Sequence, residues 1–480
     1  MGNNYYIAAI ELSSSKISGV VGMETTEGIR ILATASTPVD GFISKGIVRN
    51  VDKASQAITD IINILDATLK EVSIKKAYIS FAGLSTHSIR SKVSRGFGEY
   101  IKITKDIIDE MERENHDTFQ TPEGYKRLQA ETQEYKFDGN VDLNPIGAPT
   151  QSIECNYFNI VMKEQFYKQL HDSFDQAGIE IVDSLCAARL DAEILLPKDL
   201  CRNGCALVNI GAETTTISIY DNEMPKMLTV LPLGSNNITR DLTAERLSFA
   251  QAEEIKITRG YKSTLNENEG ISNETLNSVI NARMSEILQN VRYRIEESGE
   301  RVRHIVFTGG GSKLKNLALL LEEFLSNFTT EIKPEPQFNL ISESEVNVNG
   351  VITTALYGLL KQGKENCCED NIEMPQTTGK IFNDEEMENT IDPDEEARRR
   401  EEERKKKEEE KQKQRAEKQR IKEEKQKQKA EKSSSWNLFG SLFDAAKQFI
   451  DNATREEDSN TDDEDDDDNR ESNSKENKDK

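Results

Sequence analysis

The sequence predicts an α/β protein with a duplicated architecture, followed by a long polar tail. Three observations carry this reading. Two strand–turn–strand units lie 198 residues apart, centred on Glu11 and Asn209. A third buried strand ends in a glycine-rich loop at 304–313. Apolar side chains make up 35% of the 480 residues, yet only four fall in 395–432 and none in 456–480. Those two stretches cannot bury a core, so the globular part is placed at about 5–364.

The first unit opens with Tyr6-Ile7-Ala8-Ala9-Ile10-Glu11-Leu12, which reads as a buried strand. Ser13-Ser14-Ser15-Lys16 is turn chemistry, and 17–22 alternates like the returning strand of a hairpin. Residues 52–70 carry helical spacing at Ala54, Ala57, Ile58, Ile61, Ile62, Leu65 and Leu69, and 76–82 reads as another strand. The second unit repeats the logic: strand at Cys205–Ile210, tight turn at 211–215, strand at 216–220. Finally, His304–Thr308 runs into Gly309-Gly310-Gly311-Ser312-Lys313, with a helix expected from about 313. Glycines there let backbone N–H groups approach an anion, and a helix N-terminus favours negative charge. The same loop can equally be no more than a tight strand-to-helix turn.

Between these units, Ala252-Glu253-Glu254-Ile255-Lys256 places Glu253 and Lys256 on one helical face. Alone, the pair reads as a solvated ion pair. In the ordered set, two hairpin turns can pinch a polyphosphate, the Glu/Lys pair can contact a ribose, and the glycine loop can lie against a flat base or sugar.

Composition excludes several classes. No run of 18 apolar residues is present, and the first six residues lack the basic and apolar regions of a signal peptide. The six cysteines show no paired C-x-x-C spacing, so reduced thiols are expected rather than a zinc site. Net charge is −24, of which the first 394 residues carry −20. A body this acidic argues against nucleic acid as a partner.

The ordered motifs resemble the actin-like ATPase superfamily and, within it, the FtsA family of bacterial cell-division proteins. An Asp-Ile-Gly-Thr-Ser-Lys type of phosphate loop aligns with Glu11-Leu12-Ser13-Ser14-Ser15-Lys16. An Asp-Ile-Gly-Gly-Gly-Thr-Thr-Asp type aligns with 209–216, and Gly234-Ser235-Asn236-Asn237-Ile238-Thr239-Arg240-Asp241-Leu242 matches a third family motif. Residues 252–256, and 279–283 with Glu286, match helices of the family; Tyr135–Asp138 by position 135–138 and Asn144-Pro145-Ile146-Gly147 fit its small inserted subdomain. The resemblance implies an actin-like (RNase H-like) two-lobed fold. Its parts would be lobe 1 at 1–83 and 163–198, the inserted subdomain at 84–162, the lobe 2 core at 199–232, a peripheral subdomain at 233–302, and 303–364 as lobe 2 core and return to lobe 1.

It also implies ATP as ligand. The residues it assigns are Ser13, Ser14, Ser15, Lys16, Asn209, Gly211, Ala212, Thr214, Thr215, Gly234, Glu253, Lys256, Gly309, Gly310, Gly311, Ser312 and Lys313. The departures are chemical. Glu11 and the uncharged Asn209 replace the two loop aspartates, so Mg²⁺ binding is expected to weaken. Ser13, Ala212 and Glu213 replace glycines, and a glutamate facing a polyphosphate would repel it. The expectation is weak nucleotide binding and no significant ATPase activity.

Residues 365–394 read as an acidic linker. Residues 395–432 hold 17 basic and 12 acidic groups, with Glu401/Lys405, Glu402/Lys406 and Glu403/Lys407 at i,i+4; they read as a charged helix or a solvated disordered stretch. Residues 433–455 differ. On a helical wheel with Trp436 at zero, Leu438, Phe439, Leu442, Phe443, Ala446, Phe449, Ile450 and Ala453 fall within about 200–340°, and Gly440, Ser441, Asp444, Lys447, Gln448, Asp451 and Asn452 within about 20–160°. Half-burying seven large apolar side chains would gain of order 5–10 kcal/mol gross. Residues 411–432, net +6, would add attraction to anionic lipid. Docking on the protein's own core and on a partner groove are the alternatives; a membrane-surface helix is favoured. Residues 456–480, net −9, read as a disordered acidic tail.

For partners, the resemblance implies FtsZ, later division proteins, further copies of the chain, and the cytoplasmic face of the inner membrane at the division site. Competing readings are an active ATPase, sugar kinase or Hsp70-like chaperone, and a type IV pilus assembly scaffold of related fold.

Overall fold

The protein is described by a computed structural model covering residues 5–262, 271–334, 338–342, 348 and 350–370. The segments 395–432, 433–455 and 456–480, and 371–394 of the linker, lie outside the described residues.

The chain begins with β1 (Ile7–Leu12), β2 (Lys16–Thr25) and β3 (Gly28–Pro38), an antiparallel meander, followed by α1 (Val51–Leu69) and β4 (Lys76–Phe81). The third strand was not read from the sequence. α1 starts where Asn50 caps it by accepting from the Lys53 amide at 2.9 Å, and it buries the stripe Ala54, Ala57, Ile58, Ile61, Ile62 and Leu65. A side excursion follows: β5 (His87–Lys102), α2 (Lys105–Thr118), β6 (Tyr125–Phe137) and β7 (Pro149–Lys163). With the short strand Asn140–Asp142 these form a four-stranded antiparallel sheet, whose own small core includes Ile108, Met111, Tyr135 and Tyr157. The chain then returns to the first sheet through α3 (Glu164–Ala177), β8 (Glu180–Cys186) and α4 (Ala187–Leu195).

The second half repeats the opening. β9 (Cys205–Ile210), β10 (Thr215–Asp221) and β11 (Met224–Leu231) form another meander. Helices α5 (Asn236–Leu242), α6 (Phe249–Arg259) and α7 (Asn273–Glu297) follow, then β12 (His304–Thr308), α8 (Leu317–Phe324) and β13 (Thr329–Ile332). β14 (Leu340–Ser342) adds to the edge of the first sheet, and α9 (Thr354–Gln362) packs back on it.

The two main sheets share one strand order. The first runs β3-β2-β1-β4-β8, extended by β14, and the second runs β11-β10-β9-β12-β13. The equivalence extends to register. Glu11 pairs with Ser18 and, in parallel, with Ser80; Asn209 pairs with Thr216 and, in parallel, with Thr308. The duplication seen in the sequence is thus two sheets of like topology, each with a core of its own. Both first hairpins therefore end at equivalent positions and face one cleft.

Candidate functional site

The cleft has a volume of about 760 Å³, within the range of small-molecule sites. A smaller chamber of about 130 Å³ lies behind the two hairpin turns. Ser13, Ser15, Lys16, Asn209, Ala212, Glu253, Lys256, Gly309, Gly310, Gly311 and Lys313 line the main cleft. Ser14, Gly211 and Thr214 line the rear chamber. Thr215, Gly234 and Ser312 line neither and hold the frame. Thr215 is fully buried and donates to the Leu233 carbonyl at 2.8 Å, and Ser312 donates to the Gly309 carbonyl at 2.7 Å. Gly234 sits so close to the second turn that a Cβ would lie 2.5 Å from the Ala212 oxygen.

The cations in the cleft are unequal. Burial lowers the Lys16 pKa, Glu11 opposes that shift, and the ammonium of Lys313 adds to it. Lys16 donates to the Gly350 carbonyl. Lys256 is only 5% exposed and is not the solvated partner that its spacing suggested. It donates to Glu253 at 2.7 Å and to Thr239 Oγ1 at 2.9 Å, and burial lowers its pKa while Glu253 opposes the shift. α6 presents the pair because Ser248 and Gln251 form a capping box at its start.

The carboxylates are the larger surprise. Asp191 lines both cavities and is 4% exposed. It accepts from Asn209 Nδ2 at 2.7 Å, and burial raises its pKa to about 7. Glu11 accepts from Thr353 Oγ1 at 2.5 Å, and burial raises its pKa as well. Thr353 also caps α9 by accepting from the Leu356 amide at 3.1 Å, which locks its hydroxyl in place. The sequence reading missed both Asp191 and Thr353. The signal for Asp191 was present: it falls on the same helical stripe as Ala187, Ala188 and Leu195, a polar residue where an apolar one belongs.

Asn209 turns an N–H toward Asp191 rather than offering a charge, and burial pushes the carboxyls of both Glu11 and Asp191 above the ordinary carboxylate range. Among the described residues no cluster of three or more His, Cys, Asp or Glu forms a metal site.

Asp191 makes a pH prediction. Its folded pKa, about 7, stands above the ordinary 3.8. The folded state therefore binds more protons between these values, and stability from this group falls as pH rises through that window. Asp191→Asn should remove the slope. Subtracting the variant's unfolding free energies from the wild-type values should leave a decline of about 2–4 kcal/mol between pH 4 and 7, read by urea titration; a flat difference would contradict a protonated Asp191.

Two expectations are corrected. Glu213 does not face the cleft as a repelling charge: it lines neither cavity, and its carboxylate accepts from Ser44 Oγ at 2.9 Å and from the Lys45 amide at 2.7 Å, with Arg240 as counter-ion. The glycine loop does not open directly into an α-helix at about 313. Gly310–Lys313 is a single 3₁₀ turn, and the α-helix begins at Leu317 after Asn316 adopts a left-handed conformation. The helix is delayed because Gly309, at φ 85°, bends the chain sharply off the strand.

Two like sheets whose first hairpins face a common cleft, with a glycine loop beneath it, define the actin-like fold. The PilM–PilN type IV pilus biogenesis complex shares it, with a TM-score of 0.55 at 17% identity, covering 75% of this chain and 98% of that one. The profile described as cell division protein FtsA matches residues 206–352. The cell division protein FtsA of Porphyromonas gingivalis is 27% identical over 351 residues, covering 68% of this chain and 72% of that protein. That of Neisseria meningitidis is 26% identical, covering 66% and 81%, and that of Bacillus subtilis 23% identical, covering 68% and 78%. Over about two thirds of its length the chain is thus similar to the cell division protein FtsA of several bacteria.

Proposed function

We propose that this chain is a cell-division scaffold that tethers FtsZ to the membrane, recruits later division proteins and assembles with copies of itself, with catalysis secondary or absent. The observation that carries the reading is its similarity to cell division protein FtsA of several bacteria over about two thirds of its length. The body supplies the platform, and 433–455 supplies the anchor through Trp436, Leu438, Phe439, Leu442, Phe443, Ala446, Phe449 and Ile450. Among the described residues no helix is long and apolar enough to cross a membrane, and a surface helix needs none.

ATP is the ligand the cleft fits, held by Lys16, Lys313 and the open face of Gly310, with Glu253 and Lys256 toward a ribose. With Asn209 in place of a charge, Mg²⁺ contributes little to that binding. Affinity of one copy for lipid is moderate and reversible, and assembly of the bodies converts it to avidity.

The test is flotation with anionic vesicles of the full chain against a truncation at 432, together with co-sedimentation with FtsZ filaments. The scaffold reading requires the full chain to float, the truncation to stay down, and FtsZ to bring the body down in both. Failure of FtsZ binding with flotation intact would favour the pilus-assembly reading, for which the PilM likeness supplies only a shared fold. Steady ATP turnover abolished by Lys16→Ala would favour the active ATPase.

A further inference from the structure

Glu213 interrupts the second hairpin turn at a position where its neighbours, Gly211 and Ala212, are small. Its side chain is buried, 8% exposed, and leaves its own lobe. The donors it meets belong to the first lobe: the Ser44 hydroxyl at 2.9 Å and the Lys45 amide at 2.7 Å. They are presented by a tight hairpin. The short strands Ile43–Ser44 and Ile47–Val48 pair antiparallel, and the two residues between them, Lys45 and Gly46, take φ 52° and 69°. The first lobe's own turn grips the same hairpin, since the Gly46 amide donates to Ser14 Oγ at 2.8 Å. Arg240, on α5 of the second lobe, completes the set. Hydrogen bonds and this guanidinium outweigh burial and hold the Glu213 pKa below the ordinary carboxylate value.

We propose that Glu213 is a built-in anion that clamps the two lobes together, occupying a cradle formed by Ser44, Lys45 and Arg240. A carboxylate here does what an oxyanion of a bound ligand does elsewhere: it draws donors from both sides of a cleft onto one charge. Lobe–lobe contact at this hairpin then persists in the nucleotide-free protein. The inference concerns the body alone and stands whether or not the tail meets lipid or the chain meets FtsZ.

Amide hydrogen exchange on the nucleotide-free full chain tests it. The Lys45 amide should be protected in the wild type, and Glu213→Ala should speed its exchange at least tenfold. Amides of the core strand Cys205–Ile210 should be unchanged. Arg240→Ala should have a smaller effect of the same sign, and adding ATP, with or without Mg²⁺, should leave wild-type protection where it was. If Glu213→Ala does not fold, Ser44→Ala removes a donor from the opposite lobe and is read in the same way. A change below threefold at Lys45, an equal loss across Cys205–Ile210, or protection that appears only with ATP would each overturn the clamp.

Discussion

Substituting Phe439→Asp and Phe443→Asp together is expected to release the full chain from anionic vesicles, lowering its apparent affinity roughly a hundredfold or more. Phe439 and Phe443 are four residues apart, a spacing that would put them one turn apart on the apolar stripe if 433–455 forms the proposed helix. Losing two half-buried aromatic side chains removes about 1.5–3 kcal/mol of gross transfer energy. Placing two carboxylates against an anionic surface adds desolvation and repulsion of similar sign. Substitution on the opposite face, Lys447→Gln, should change affinity only a few-fold, because it removes one long-range attraction and no burial. Ionic strength separates the two contributions. Salt should weaken the electrostatic part contributed by 411–432 and leave the apolar part. If the double variant instead lowers the thermal stability of the body and leaves vesicle binding intact, the stripe packs on the protein itself and the anchor reading is lost.

What could be read in advance, and what could not, divides along sequence distance. The apolar runs at β1, β9 and β12 and the stripe of α1 are local patterns, and each forms the expected element. The 198-residue repeat was legible because two strands with their turns recur as a unit. β3 was passed over although Ile29, Ile31, Ala33 and Ala35 alternate with Arg30, Leu32, Thr34 and Ser36, a local period of two that marks a half-buried strand. At the site, position in the motif brought most assigned residues to the cleft, but not the direction of each side chain. Glu213 was placed in the correct turn and aimed the wrong way, because Ser44 and Lys45 are some 169 and 168 residues distant. Arg189 shows the same limit. It reaches both oxygens of Glu131 at 2.7 Å and the Tyr220 hydroxyl at 2.8 Å, joining α4, the inserted sheet and the second lobe through partners 58 and 31 residues away. Long polar contacts of this kind leave no periodicity behind.

The glycine loop carries the other large prediction, because its two readings give opposite results at adjacent positions. Gly309 has φ 85°, and a Cβ there would lie 2.2 Å from Asn209 Oδ1 and 2.6 Å from the Ile210 oxygen. Neither neighbour is free to retreat: Asn209 is bonded to Asp191, and Ile210 is in the central strand of its sheet. Gly309→Ala should therefore destabilise the fold by about 3 kcal/mol or more, through a strained dihedral and a forced shift of β9. At Gly310 an added Cβ meets nothing within 4 Å, and the residue lines the cleft. Gly310→Val should leave the unfolding free energy from urea titration within about 0.5 kcal/mol of wild type, since it changes neither burial nor a hydrogen bond. It should nevertheless abolish ATP binding, because the isopropyl group fills the space that a ligand must enter. The two variants thus separate a loop that only turns the chain from one that also cradles a ligand. A Gly310→Val protein that is stable and still binds ATP with unchanged affinity would assign the loop to architecture alone, and would move any nucleotide toward Lys16 and the hairpin turns.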